Sequence, residues 1–167
     1  MDTRAAIVVE IPRLRRYARV LLGDATAADD LVQDCLERAL GRVHLFHAGT
    51  NLRAWLFTIM HNLHVNARVR ASRSPEIPVD PAALGGETEP VQGSGLLLRD
   101  LDRALAQLPD DQRAALLLVG LEGLSYRETA DVLGVPVGTV MSRLARGRER
   151  LRRLIDGGSR QALRQVK

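Results

Sequence analysis

The sequence predicts an all-α protein of two small helical domains joined by a flexible linker, the second domain containing a helix-turn-helix. Three observations carry this prediction. Apolar residues recur at helical spacing on both sides of the segment 72–95. That segment, SRSPEIPVDPAALGGETEPVQGSG, holds four prolines and four glycines with almost no apolar periodicity. Finally, the stretch from Ser125 to Arg148 places a capped helix, a glycine and a proline-started second helix in immediate succession. The expected boundaries are 1–71, 72–95 and 96–167.

In the first domain, Ile7, Ile11, Leu14, Ala18, Leu21 and Leu22 share one helical face, with Arg13, Arg15, Arg16 and Arg19 off it. This helix is expected to start near Pro12 or bend there, and Gly23 ends it. Thr26 with Asp29 offers the next N-cap. Ala28, Leu31, Val32, Cys35, Leu36, Ala39 and Leu40 then form an uninterrupted stripe, in which Cys35 reads as a small buried apolar residue. The opposite face carries Asp30, Gln33, Asp34 and Glu37. With no nucleophile or cleft implied, this acidic strip is not a catalytic site. It reads equally well as a solvated face or as a docking surface for a basic partner.

The segment GRVHLFHAGT, from Gly41 to Thr50, breaks the pattern and forms a loop with His44, Phe46 and His47. Asn51 then caps a third helix running to about Ala71. Its expected inward face is Leu52, Trp55, Leu56, Ile59, Leu63 and Ala67. Phe57, His61, His64 and Arg68 are expected in an exposed line opposite, a set of stacking and hydrogen-bonding groups suited to nucleic acid. His61 and His64 lack a carboxylate or thiol at matching spacing, so no metal is expected.

Beyond the linker, Leu97, Leu98, Leu101, Leu105 and Leu108 make a helix that Pro109 ends. Asp110 or Asp111 begins another through Ala114, Leu117, Leu118 and Leu121. Ser125 and Glu128 have the spacing of a capping box, Gly134 sits where a left-handed residue closes the helix, and Pro136 suits the first position of the next. Ala130, Gly134 and Val140 supply the close crossing, the bend and the apolar plug of a helix-turn-helix. On the second helix Val137, Val140, Leu144, Leu151 and Ile155 face inward, and Gly138, Ser142, Ala145, Arg146, Glu149 and Arg153 face out. Small residues allow approach to base edges, arginines bond guanine or phosphate, and Arg143 and Arg150 flank the face as phosphate holders.

Charge agrees with this placement. The chain has 167 residues and a net charge of +4, yet from Pro136 onward eight arginines and Lys167 face only Glu149 and Asp156, a local balance of +7. An anionic partner is expected there, nucleic acid first. Aromatic residues make up 3% of the chain, too few for a platform that stacks many bases. The lone Cys35 cannot form an internal disulfide. No stretch approaches a membrane span and no signal peptide is read at the N-terminus, so the expected location is cytoplasmic, without direct membrane insertion.

Taken in order, LRRYARVLLGD, ADDLVQDCLERAL, NLRAWLFTIMHNL, the Pro/Gly linker and LPDDQRAALLLVGLEGLSYRETADVLGVPVGTVMSRLARGRERLR resemble the extracytoplasmic-function sigma factors of bacterial RNA polymerase. The resemblance spans roughly residues 10 to 156. It implies a non-enzymatic promoter-specificity subunit with no cofactor and no small-molecule substrate. The helix with Asp30, Gln33, Asp34 and Glu37 would hold core RNA polymerase. Phe46, His47, Asn51, His61, Asn62, His64 and Arg68 would open and read the −10 element, and Thr139, Ser142, Arg143, Arg146 and Arg150 the −35 element of promoter DNA. Capture of one or two flipped bases in a loop pocket needs no long aromatic platform. Met141 and Ala145 depart from the larger or basic residues frequent in the family at these positions. No sensory extension is read, so regulation is expected from an anti-sigma factor. The competing readings are a sigma mimic that binds only an anti-sigma factor, and a stand-alone helix-turn-helix regulator.

Overall fold

The computed structural model describes residues 2–73 and 95–165, with side chains characterised for 2–73 and 98–157. It is all-helical and comprises two helical domains. Of the expected linker, 72 and 73 continue the third helix, 95 begins the fourth, and the remainder lies outside the described residues.

Helix α1 (Thr3–Leu22) starts at Asp2, whose carboxylate accepts from the Arg4 amide at 3.0 Å, and runs through Pro12. The expected start near Pro12 is therefore corrected. Pro12 stands on the solvent side, as does Val8, whose carbonyl loses its donor, so water can replace the missing bond. Gly23, at φ 68°, closes the helix by donating to the Arg19 carbonyl at 2.9 Å. Asp24, rather than Thr26, caps α2 (Ala25–Gly41), its carboxylate accepting from the Ala27 amide at 2.6 Å. Thr26 falls inside the first turn, too late to be the half-in residue that caps.

Helix α3 (Leu52–Arg73) follows a short 3-10 turn at Val43–Leu45. Leu14, Tyr17, Ala18 and Leu21 of α1, Ala28, Leu31, Val32, Cys35 and Ala39 of α2, and Leu56, Phe57 and Met60 of α3 form the first core, which continues into the buried apolar residues of the second domain, while Leu40, expected inward, is exposed. Tyr17 meets Phe57 edge-on, with ring centroids 4.9 Å apart. The expected inward face of α3 is thus rotated: Phe57 and His64 are buried while Ala67 is exposed. The reason is that α3 is covered twice, by α2 on one side and by the second domain on the other.

That domain consists of α4 (Gly95–Ala106), α5 (Asp110–Leu116), a π-helical turn (Leu117–Leu121), α6 (Tyr126–Leu133) and α7 (Val137–Gln165). Ala114, Ala115, Leu118, Val132, Val140 and Leu144 fill its centre. Helices α5 and α7 cross so closely that a Cβ on Gly147 would stand 2.9 Å from Leu116 Cδ1. Arg113 stops the chain fraying at α4 by donating to the carbonyls of Leu105, Ala106 and Leu108, and reaches across to the Leu21 carbonyl of α1 at 2.6 Å. Among the described residues no helix is long and apolar enough to cross a membrane.

Candidate nucleic-acid and polymerase interfaces

The helix-turn-helix forms as its local chemistry dictates. Ser125 Oγ accepts from the Glu128 amide at 3.1 Å, and the Glu128 carboxylate accepts from the Ser125 amide at 2.8 Å. That backbone bond, then the side-chain bond from Asn51, hold the Glu128 carboxyl below its ordinary pKa. Gly134 at φ 65° makes the bend and donates to the Ala130 carbonyl. Val140 and Leu144 are fully buried, which fixes the rotation of α7 and turns Gly138, Met141, Ala145, Arg146, Glu149, Arg150 and Arg153 to solvent. Val137 and Ile155, expected inward, lie at the exposed margin.

The positions expected to read the −35 element differ in readiness. Arg146 and Arg150 make no hydrogen bond or ion pair among the described residues. Arg143 is half-buried and paired through Nε with Asp111 at 3.4 Å. Thr139 is half-buried, and its carbonyl accepts from Ser142 Oγ at 3.0 Å. Arg153 is tethered to Glu149 at 3.0 Å. A shallow groove beside this face is lined by Gln112, Ala145, Arg146, Glu149, Arg150 and Arg153.

On α2, Asp30, Gln33, Asp34 and Glu37 are all exposed on one open helical face, with Gln33 donating to Glu37 at 3.1 Å. Nothing basic neutralises Asp30 or Asp34 among the described residues. The strip remains a concentrated negative surface.

The expected exposed line of Phe57, His61, His64 and Arg68 does not form, because Phe57 and His64 are buried, and the positions expected at the −10 element differ in exposure. His47 and Asn62 are exposed, but Phe46 leans on Trp55 at 5.3 Å and Asn51 divides its side chain between two domains. Its oxygen caps α3 at the Ala54 amide, and its Nδ2 donates to Glu128. His61 is half-buried, and burial, aided by the His64 charge, lowers its pKa. Its Nδ1 is buried without a partner. His64 is 6% exposed, and its Nε2 lies 3.1 Å from Asp110 Oδ2, while Arg68 pairs with the same carboxylate. Burial opposes ionisation of Asp110, yet the bond and charge of His64 together with Arg68 outweigh it and hold the carboxyl at about 2. Periodicity within α3 cannot reveal these contacts, because the carboxylate that meets His64 and Arg68 comes from another domain.

Sequence reasoning also missed Glu122. Its side chain is wholly buried, gripped by Arg16 at 2.9 Å, with Arg13 at 3.9 Å and Arg53 donating to its carbonyl at 3.5 Å. The available signal was a carboxylate inside the apolar run VGLEGL, since a buried charge requires a partner. Among the described residues no group of three His, Cys, Asp or Glu side chains could hold a metal ion.

With this geometry in place, two family models match the chain: "Sigma2 domain of PhyR" over residues 7–61 and "Sigma-70, region 4" over 98–151. The chain is also 42% identical over 156 residues to the ECF RNA polymerase sigma factor EcfG of Rhodopseudomonas palustris (strain TIE-1), covering 92% of this chain and 86% of that protein. The chain belongs to the extracytoplasmic-function RNA polymerase sigma factors. A probable RNA polymerase sigma-C factor of Mycobacterium bovis (strain ATCC BAA-935 / AF2122/97) is 41% identical over 140 residues, 78% of this chain and 71% of that one. Among solved structures, the sigma factor RpoE of Bartonella quintana, crystallised with the anti-sigma factor NepR, superposes with a TM-score of 0.82 at 34% identity. That match covers 93% of this sigma factor and 97% of the other chain. As a member of the family, this sigma factor is non-enzymatic and directs RNA polymerase to promoters through a DNA-binding helix-turn-helix.

Proposed function

We propose that this sigma factor divides promoter initiation among three surfaces. The observation that carries the proposal is the face of α7: Val140 and Leu144 are buried, and Arg146 and Arg150, unpaired among the described residues, project from the opposite side beside exposed Gly138 and Ala145. This face enters the major groove at the −35 element, with Thr139, Ser142 and Arg146 toward base edges and Arg143 and Arg150 toward phosphates. The small Ala145 lets the helix sit deep, and exposed Met141 offers apolar contact with a thymine methyl rather than a hydrogen bond.

The exposed strip of Asp30, Gln33, Asp34 and Glu37 docks core RNA polymerase. Phe46, His47, Asn51, His61, Asn62, His64 and Arg68 serve the −10 element. This last role requires Asn51, His64 and Arg68 to leave their present partners. Because a structural relative at 34% identity was crystallised with NepR, an anti-sigma protein is the expected regulatory partner. The site of action is the cytoplasm, where core polymerase is found.

The test is gel filtration of the full chain with bacterial core RNA polymerase, followed by sequencing of the 5′ ends of transcripts that the complex initiates. Stoichiometric co-elution and transcripts sharing two upstream elements are expected. A folded protein that never co-elutes overturns the docking assignment.

A further inference from the structure

Arg143 stands apart from the other arginines assigned to the −35 element. Arg146 and Arg150 are exposed and have no partner among the described residues, whereas the Arg143 side chain is 23% exposed and its Nε lies 3.4 Å from Asp111 Oδ2. The pair uses only the inner nitrogen of the guanidinium. Nη1 and Nη2, the outer donors, have no partner among the described residues and are left for a ligand.

The carboxylate that holds Arg143 is itself held. Asp111 Oδ1 accepts from the Gln112 amide at 2.9 Å, which leaves Oδ2 for Arg143. The register between the two helices comes from Gly147, one turn beyond Arg143. Its missing side chain admits α5 against α7, where a Cβ would stand 2.9 Å from Leu116 Cδ1 and 3.4 Å from Gln112 Cβ. That crossing brings the first turn of α5 beside Arg143. An acid in this turn also suits the positive end of a helix, a role that Asp110 fills too. Such a role does not require an oxygen turned toward α7.

We propose that Asp111 is a positioning residue for DNA recognition, holding the Arg143 guanidinium by Nε so that its outer nitrogens meet a backbone phosphate beside the −35 element. The inference rests on the assignment of Arg143 to a phosphate. A flexible arginine must be ordered when it binds, and one already held by a carboxylate has lost that freedom beforehand. The sign of the effect separates positioning from simple charge. Asp111 is half exposed and negative, so through its field alone it repels DNA, and its neutralisation would tighten binding. Positioning predicts the reverse.

The test is a double-mutant cycle of Asp111→Asn and Arg143→Ala in the full chain bound to core RNA polymerase. The probe is a fluorescent promoter duplex chosen from the sequenced transcript 5′ ends, and its dissociation constant is read by anisotropy across a salt series. Asp111→Asn keeps the side-chain shape and removes the charge. It should weaken binding about three- to tenfold when Arg143 is present, and leave binding unchanged or tighter in Arg143→Ala. Arg143→Ala should itself weaken binding and lower the salt slope by about one. Any loss of helix stability from Asp111→Asn is common to both backgrounds and cancels in the cycle.

Unchanged or tighter binding by Asp111→Asn with Arg143 present would overturn positioning while leaving Arg143 on its phosphate. Equal weakening in both backgrounds would also overturn it, assigning Asp111 to the stability of α5 alone. An Arg143→Ala protein that binds as the wild type does would instead overturn the phosphate assignment, and the inference with it.

Discussion

Nε2 of His64 lies 3.1 Å from Oδ2 of Asp110, joining the middle of α3 to the first residue of α5 across the boundary between the domains. Because Asp110 is held at about 2 where α5 meets α3, below the ordinary carboxylate value of about 3.9, its ionised form favours that contact. That contribution is fully present above about pH 4 and is lost as pH falls from there through about 2. Scattering between pH 6 and 3 should therefore show dimensions rising only at the acid end. Asp110→Asn should remove that acid dependence and expand the chain at neutral pH.

Cys35 is fully buried beneath α3, its Sγ 3.5 Å from the Leu56 carbonyl, and burial pushes its thiol up to about 12. Thiolate is the reactive form, so alkylation at pH 8 should be very slow in the native protein and rapid in denaturant. Labelling that is fast in native buffer would mean that the first core opens readily.

Arg146→Ala removes an exposed guanidinium from the open face of α7 without disturbing Val140 or Leu144. Binding to −35 duplex by the polymerase complex should weaken by about 1 to 3 kcal/mol, with unchanged thermal stability. Arg150→Ala should weaken binding more uniformly across sequences and lower the salt dependence.

Asp34→Arg reverses one charge on the exposed α2 strip. Co-elution with core polymerase should be lost while circular dichroism and melting stay those of the wild type, because Asp34 is exposed and lies off the buried stripe. Retained co-elution would remove the strip from polymerase docking.

Leu144→Ala opens a cavity at a fully buried position where α7 meets the rest of its domain. A loss of about 2 to 5 kcal/mol is expected in denaturant titration. Ser125→Ala, which breaks only half of the capping box, should cost about 1 kcal/mol by the same measurement.

What the sequence made legible was chemistry confined to a few neighbouring residues. Ser125 with Glu128, Gly134 and the buried positions Val140 and Leu144 follow from turn geometry and a repeat of 3.6, and the acidic strip on α2 follows from the same repeat. Asp24 and Thr26, two positions apart, both have the chemistry of a cap, and local pattern does not distinguish which of them opens the helix. A single apolar stripe implies a single covered side, which places Phe57 and His64 outward. A helix buried on two sides carries no such stripe, and polar residues such as His64 join it when a distant carboxylate meets them. Glu122 and Arg16 lie 106 positions apart, beyond any local pattern.

The π-helical turn at Leu117–Leu121 closes with the Glu122 amide donating to the Leu117 carbonyl at 3.0 Å, one residue more than an α-helical turn holds. That surplus residue sets an angular phase. Deleting it would restore the ordinary ladder and swing Glu122 by about 100° around the helix, away from Arg16 and Arg13. The relation between the two domains thus depends on a count of backbone units as well as on the identity of any side chain. A one-residue deletion there should uncouple the domains while leaving every charged residue in place.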